Sequence, residues 1–141
     1  MDLKRAEMIT QDLIGYYGLA GWSLRWDRAI TRNGQCRYAR KEIGLSRRIV
    51  ELAEEKGVLN TILHELAHAR LGPGYGHSIV WRMTARGMGC DGHTCSTIAD
   101  SQVLAKWAYK CLSCGWQHRC IRRLRNLGGR YHKQCRAMGL P

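Results

Sequence analysis

The stretch Thr61-Ile62-Leu63-His64-Glu65-Leu66-Ala67-His68 decides how the rest of this sequence is read. Around it Leu59, Ile62, Leu63, Leu66 and Ala67 recur at helical spacing, and Gly72-Pro73-Gly74 ends the pattern. A helix is therefore expected from about Glu54 to Leu71. Two histidines four residues apart on a helix stack on one face, so both imidazoles can reach a single ion. Zinc takes nitrogen ligands at ~2.0–2.1 Å in tetrahedral geometry. Glu65 follows His64 directly and stands outside that row, so it can lean toward a water without ligating the metal. That is the arrangement of a general base, with the ion lowering the pKa of the water toward ~7. The plainer interpretation is a helix with two ordinary surface histidines. The apolar residues on either side of both histidines, and a second metal-like cluster downstream, argue against it.

A catalytic zinc needs a third protein ligand and an open fourth position. No glutamate occurs after Glu65, which removes a distant downstream Glu ligand, and the sixth residue after His68 is Gly74, which removes the short His spacing. The candidates left are His77, Asp91, His93 and Asp100. His77 follows a Gly-rich turn that can fold it back onto the ion, and this favours it over His93 in the loop Cys90–Cys95.

Working outward, Leu3, Ala6, Ile9, Leu13 and Tyr17 mark an amphipathic helix over residues 2 to about 17, stopped by Gly18. Trp22, Leu24 and Trp26 alternate with polar residues at strand period. Asn33-Gly34 is a turn signal, and short strands are expected near Gln35–Ala39 and Glu42–Leu45, giving a small antiparallel sheet. A further helix should start near Gly76 or His77, point Ile79, Val80 and Met83 inward, and close at Gly87 and Gly89. Trp22, Trp26 and Trp81 are expected in the core, and Cys36 as a small buried residue on its strand. Peptide hydrolysis also needs a group that stabilises the oxyanion, and Tyr75, Tyr38 and Arg82 are the candidates.

From Trp107 onward the composition turns to Cys, Arg and Gly, so the chain is divided into residues 1–102 and 103–141. Cys111-Leu112-Ser113-Cys114 is a C-x2-C knuckle, His132-Lys133-Gln134-Cys135 a second one carrying a histidine, and 17 residues separate Cys114 from His132. The spacing fits a closed structural zinc site of Cys111, Cys114, His132 and Cys135, which would fold a segment too poor in apolar residues to fold alone. His118 and Cys120 are rival ligands, and Cys90, His93 and Cys95 are a weaker third cluster.

Of 141 residues, 23 are basic and 11 acidic, for a net charge of +12, and the last acidic residue is Asp100. Nine basic residues follow with nothing to offset them, which reads as a surface for a polyanion, nucleic acid first. Trp107, Tyr109, Trp116 and Tyr131 interleave with them. Aromatic faces stack on bases while cations meet phosphates, so Trp116, Arg119, Arg122, Arg123, Arg125, Arg130 and Lys133 are the candidate contacts to single-stranded or distorted DNA. Seven cysteines cannot all pair within the chain, and no run approaches the ~18 apolar residues of a membrane span. Residues 1–7 mix charges and lead into no signal-like run. A cytoplasmic or nucleoid-associated monomer that does not enter membranes is expected.

The run Thr61–Arg70, the turn Gly72-Pro73-Gly74-Tyr75-Gly76-His77 and the following Trp81 resemble the SprT-like metalloproteases, as do Gly15-Tyr16-Tyr17-Gly18-Leu19 with Trp22 and Ile43-Gly44-Leu45-Ser46. The best-known members are Spartan-type proteases that cut proteins crosslinked to DNA. The resemblance covers nearly the whole chain. It implies an α+β, zincin-like core: an N-terminal helix, a small sheet, the His-Glu-x-x-His helix and a third-ligand helix, followed by a basic zinc ribbon. It implies His77, in the pair Gly76-His77, as third ligand to a catalytic zinc, Glu65 as catalytic base, and DNA-bound proteins as substrates. Ser78 stands where the family often has Gly, and His132 where its ribbon more often has Cys. A nucleic-acid-binding zinc protein with a silent protease-like site is the rival, with a zinc amidase of another class behind it. The intact Glu65 speaks against the first, and the cationic tail against the second.

Overall fold

The computed structural model describes residues 1–94, 107–111 and 114–120. The chain divides into two compact units, Met1–Ala99 and Asp100–Pro141.

The first unit is α+β, with four helices and a small mixed sheet. Helix α1 spans Leu3–Tyr16; the Asp2 side chain caps it by accepting from the Arg5 N–H at 3.0 Å. Its inward row is Ala6, Thr10 and Ile14, spaced four apart, and the Thr10 hydroxyl donates back to the Ala6 carbonyl, so the one polar member of that row is satisfied. Strands β1 (Ser23–Asp27), β2 (Gly34–Arg37) and β3 (Glu42–Ser46) form a sheet in the order β1-β3-β2. β2 and β3 are antiparallel, joined through one 3-10 turn at Tyr38–Arg40, but β1 runs parallel to β3. The sheet is thus mixed, where an all-antiparallel one was expected. Asn33-Gly34 does not turn a hairpin, because β3 lies between β1 and β2. The Asn33 carbonyl instead accepts from the Ser46 N–H at 2.9 Å, and Gly34 is the first residue of β2.

A short helix that the sequence did not announce, α2 (Arg47–Leu52), follows at once. Ser46 makes the corner. Its hydroxyl accepts from the Ile49 N–H at 3.2 Å and donates to the Ala29 carbonyl at 2.6 Å, while Ile49 and Val50 go inward. Six residues are too few for a periodic pattern to reveal such a helix.

Helix α3 (Glu55–Leu71) is the centre of the unit. Nine of its residues are buried, including the run Thr61–Ala67, because β2 and β3 cover one side and α1 and α4 the others. Gly72, at φ 83, ends it. Helix α4 (Ile79–Gly87) begins at a Ser78 cap. Here the expected phase is wrong. Ile79, Val80 and Met83 are 65%, 45% and 69% exposed, and Trp81 and Ala85 point inward. The largest side chain of the helix takes the core-facing position, which turns the aliphatic residues outward. Trp22 and Trp26 pack against the core only partly buried, and Trp81 is wholly enclosed. No helix among the described residues is long and apolar enough to cross a membrane.

In the second unit β4 (Trp107–Lys110) and β5 (Gln117–Cys120) form an antiparallel hairpin. Between them the Gly115 N–H donates to the Cys111 carbonyl and the Cys111 N–H to the Trp116 carbonyl, closing a tight turn that carries Cys111 and Cys114.

Ser46→Ala removes both hydrogen bonds at the β3–α2 corner and leaves the half-buried Ala29 carbonyl without this donor. The expected loss is about 2 kcal/mol in urea unfolding. A loss below about 0.5 kcal/mol would show that the corner does not depend on the hydroxyl.

Candidate metal centre

His64 and His68 lie one turn apart on α3, and the turn Gly72–Gly76 brings His77 back over them just before α4 starts. Three glycines in that turn adopt φ of 83, 100 and 49, a region side-chain-bearing residues avoid, so the reversal depends on them. The Nε2 atoms of His64 and His77 are 3.0 Å apart, and those of His68 and His77 3.2 Å. A tetrahedral ion at zinc–nitrogen distances sets neighbouring nitrogens about 3.3 Å apart. Among the described residues this is the one group of three metal-binding side chains whose donor atoms converge.

The donor chemistry fits a cation as well as the spacing does. The second nitrogen of the His64 ring donates to the His93 main-chain carbonyl. In the neutral ring the Nε2 of His64 is then a bare acceptor. A single N–H on His77 Nε2 cannot serve both His64 and His68, whereas a positive ion serves all three lone pairs. Burial first, and the neighbouring His77 second, push the pKa of His64 down to about 4. Burial and the two other histidines do the same to His68, also to about 4. Both rings are therefore neutral, and competent as ligands, at physiological pH.

Trp81 forms the wall behind the cluster. Its ring is stacked on His68 at 5.0 Å and 21°, and meets His64 and His77 edge-on at 4.6 Å each. A flat apolar surface that touches all three imidazoles restricts their rotation and keeps water from behind them. It also accounts for why Trp81, rather than Ile79 or Val80, faces inward.

Glu65 is 7% exposed and opens with the histidines into a cleft of about 600 Å³, also lined by Arg32, Gln35, Cys36 and Tyr38. Burial raises its pKa to about 7, opposed by a hydrogen bond from the Cys36 main-chain N–H and by the charge of Arg32. Strand β2 reaches Glu65 because Gly34 has no side chain. A Cβ there would lie 2.8 Å from Glu65 Cγ and 2.9 Å from Oε1. Reading Asn33-Gly34 only as a turn signal missed this role, and close approach to a buried glutamate on another element leaves no trace in local sequence. Cys36 is half-buried, hydrogen-bonded with Tyr38, and its thiol is pushed up to about 12 by burial, then by Glu65. Of the three oxyanion candidates Tyr38 lines the cleft, while Tyr75 and Arg82 are not among its lining residues.

The other candidates fall elsewhere. Asp91 and His93 stand on the loop behind His64 and are not part of the converging trio. Cys90 is buried in the core cluster. Cys111 and Cys114 sit together on the hairpin turn, with Trp116 46% exposed beside them and Arg119 on β5. Cys95, Asp100, Arg122, Arg123, Arg125, Arg130, His132, Lys133 and Cys135 lie outside the described residues.

Two expectations follow for the metal-free protein. A carboxyl whose pKa rises on folding favours the folded state in its protonated form. That contribution is complete below the ordinary value of 4.5 and is lost as pH climbs to about 7. Glu65→Gln keeps an oxygen for the Cys36 N–H and cannot ionise. Its stability relative to wild type should grow by about 2–3 kcal/mol between pH 4.5 and pH 8, read by urea unfolding in chelator; a flat difference would contradict the burial of this carboxyl. Gly34→Ala should destabilise by about 1–3 kcal/mol through overpacking against Glu65, and an unchanged urea midpoint would count against the close approach.

Comparison with known sequences agrees with this geometry. No curated protein matches the chain. The sequence profile of the SprT-like family matches residues 5–102, well over half of the chain and all the elements that build the centre, and the chain therefore belongs to the SprT-like family.

Proposed function

We propose that the chain is a zinc-dependent endopeptidase of the SprT-like type that acts on proteins bound or crosslinked to DNA. The observation that carries the hydrolytic part is the convergence of three imidazole nitrogens beside the buried carboxyl of Glu65 in one open cleft, in a chain of this family. His64, His68 and His77 would hold the ion. When bound, it supplies Lewis acidity for the scissile carbonyl and lowers the pKa of water toward ~7. The residues do the rest. Glu65 accepts a proton from the attacking water at its carboxylate and returns it to the leaving amine nitrogen. Its carboxyl lines the same cleft as the three histidines, which puts it within the site where the water and the leaving amine would meet. The Cys36 N–H fixes the carboxyl during these transfers. The Tyr38 hydroxyl, in the same cleft, is suited to stabilise the oxyanion.

The DNA-directed part rests on charge. Nine of the twelve net positive charges follow Asp100, in a segment without an acidic residue. In this proposal Cys111, Cys114, His132 and Cys135 bind a second, structural zinc, and Trp116 with Arg119, Arg122, Arg123, Arg125, Arg130 and Lys133 meets single-stranded or distorted DNA. That brings the cleft to proteins on the same DNA.

Purified protein should cleave a DNA-binding substrate faster when single-stranded DNA is added, and Glu65→Gln should lower the rate ~10²–10⁴-fold. Metal analysis should give two zincs per chain for wild type and one for His64→Ala/His68→Ala. A wild type that cleaves no better than Glu65→Gln under any DNA condition, while still binding DNA, would favour the silent nucleic-acid-binding alternative.

A further inference from the structure

His64 is the most buried of the three histidines, and part of what holds it comes from a loop outside α3. Asn60, His64 and His68 are spaced four apart on α3, so Asn60 stands one turn below His64 on the same face. Asn60 engages Asp91 twice. Its Nδ2 donates to the Asp91 carboxylate at 3.0 Å, and its Oδ1 accepts from the Asp91 main-chain N–H at 2.9 Å. The other carboxylate oxygen of Asp91 accepts from the His93 N–H at 2.8 Å. Arg86 Nε donates to the Asp91 carbonyl at 3.4 Å. Between them Gly92 has a φ of 73, and a Cβ there would come within 2.9–3.1 Å of the Arg86 and Arg82 side chains, so only glycine passes without displacing them. Residues 90–93 are thus folded tightly against α3. Their product at the site is the His93 carbonyl, which accepts from the His64 ring nitrogen that faces away from His77.

We propose that Asn60 and Asp91 are positioning residues: their reciprocal pair of hydrogen bonds clamps the 90–93 loop onto α3 so that the His93 carbonyl fixes the tautomer and orientation of His64 for metal binding. A neutral imidazole carries one N–H. Committing it to the carbonyl leaves the Nε2 lone pair for the ion and sets the ring plane. Without the clamp both nitrogens and both ring orientations become available, and the ligand must be ordered at the moment of binding. The inference rests on the metal site proposed above.

The pair permits a test by exchange of partners. Asp91→Asn sets an amide NH₂ against the Asn60 NH₂, and Asn60→Asp sets two carboxylates against each other. The double exchange Asn60→Asp/Asp91→Asn restores all three hydrogen bonds with the side-chain donor and acceptor reversed. Zinc affinity is measured by competition with a chromophoric chelator, and the visible spectrum of the cobalt-loaded protein reports ligand geometry. Melting of the metal-free protein checks folding. Each single variant should raise the zinc Kd about tenfold or more and shift the cobalt bands, and the exchange should return both to within about threefold of wild type. Singles that bind zinc as wild type does, or an exchange no better than the weaker single, would overturn the clamp. If a single variant does not fold, the exchange variant decides on the same two measurements. His64→Ala separates the two levels: if it too leaves zinc affinity unchanged, the metal site itself is refuted and the clamp with it, whereas loss of zinc in His64→Ala beside wild-type affinity in the singles refutes the clamp alone.

Discussion

Three imidazole nitrogens meet near one point, two of them on rings that burial keeps uncharged, and much of the first unit is arranged around that convergence. Convergence needs two elements side by side with the third ligand on a chain reversal. Neutrality needs burial. Helix α3 provides both for His64 and His68, because the sheet and two helices enclose it on several sides at once. The cost falls on α4, whose inward position opposite the rings must be wide, flat and apolar. Trp81 fills it, and its indole N–H is left buried without a hydrogen-bond partner among the described residues. A loss of that kind is worth about 1–3 kcal/mol. It is tolerated where the alternative is three loosely held ligands.

Glu65 is governed by a second, opposing demand. A carboxyl that is to exchange a proton near neutral pH must be partly stripped of water, yet a stripped carboxylate destabilises the fold. The structure compromises through backbone. Strand β2 is admitted to van der Waals distance by Gly34 and gives the carboxyl one main-chain N–H, enough to orient it and to temper the rise of its pKa without cancelling it. Arg32 adds charge from the side of the cleft. A direct ion pair would have lowered the pKa instead, as Arg5 does for Glu55 on the surface.

What the sequence disclosed follows the range of the forces involved. Helix α3 and its row of histidines were legible because a 3.6-residue period repeats over 17 residues, and α1 was legible for the same reason. His77 was suggested by local turn chemistry, and the glycines do adopt the conformations that such a turn requires. The parallel pairing of β1 with β3 was not legible, since pairing depends on which strand a distant segment finds. Nor was the phase of α4: a nine-residue helix offers two plausible faces, and contact of Trp81 with histidines on another element selects between them. Asn60 carries no signal in the sequence and Asp91 is legible there only as a possible ligand; their pairing emerges when the fold brings them within 2.9 and 3.0 Å across 31 positions of sequence.

The three histidines are also held unequally, and the inequality has a direction. His64 is anchored at both ends, by burial on α3 and by the His93 carbonyl. His68 shares the helix and the stacked face of Trp81 but not the loop. His77 is exposed and rides on a turn whose main chain makes a single internal hydrogen bond, from the Ser78 N–H to the Tyr75 carbonyl. A metal centre assembled from one fixed, one braced and one lightly tethered ligand can place its first two nitrogens before an ion arrives and close the third around it. The ordering entropy then falls mainly on a short glycine-rich segment rather than on the core. The same gradient explains why the supports are concentrated on His64: the ligand that defines the geometry is the one whose orientation cannot be left to the ion.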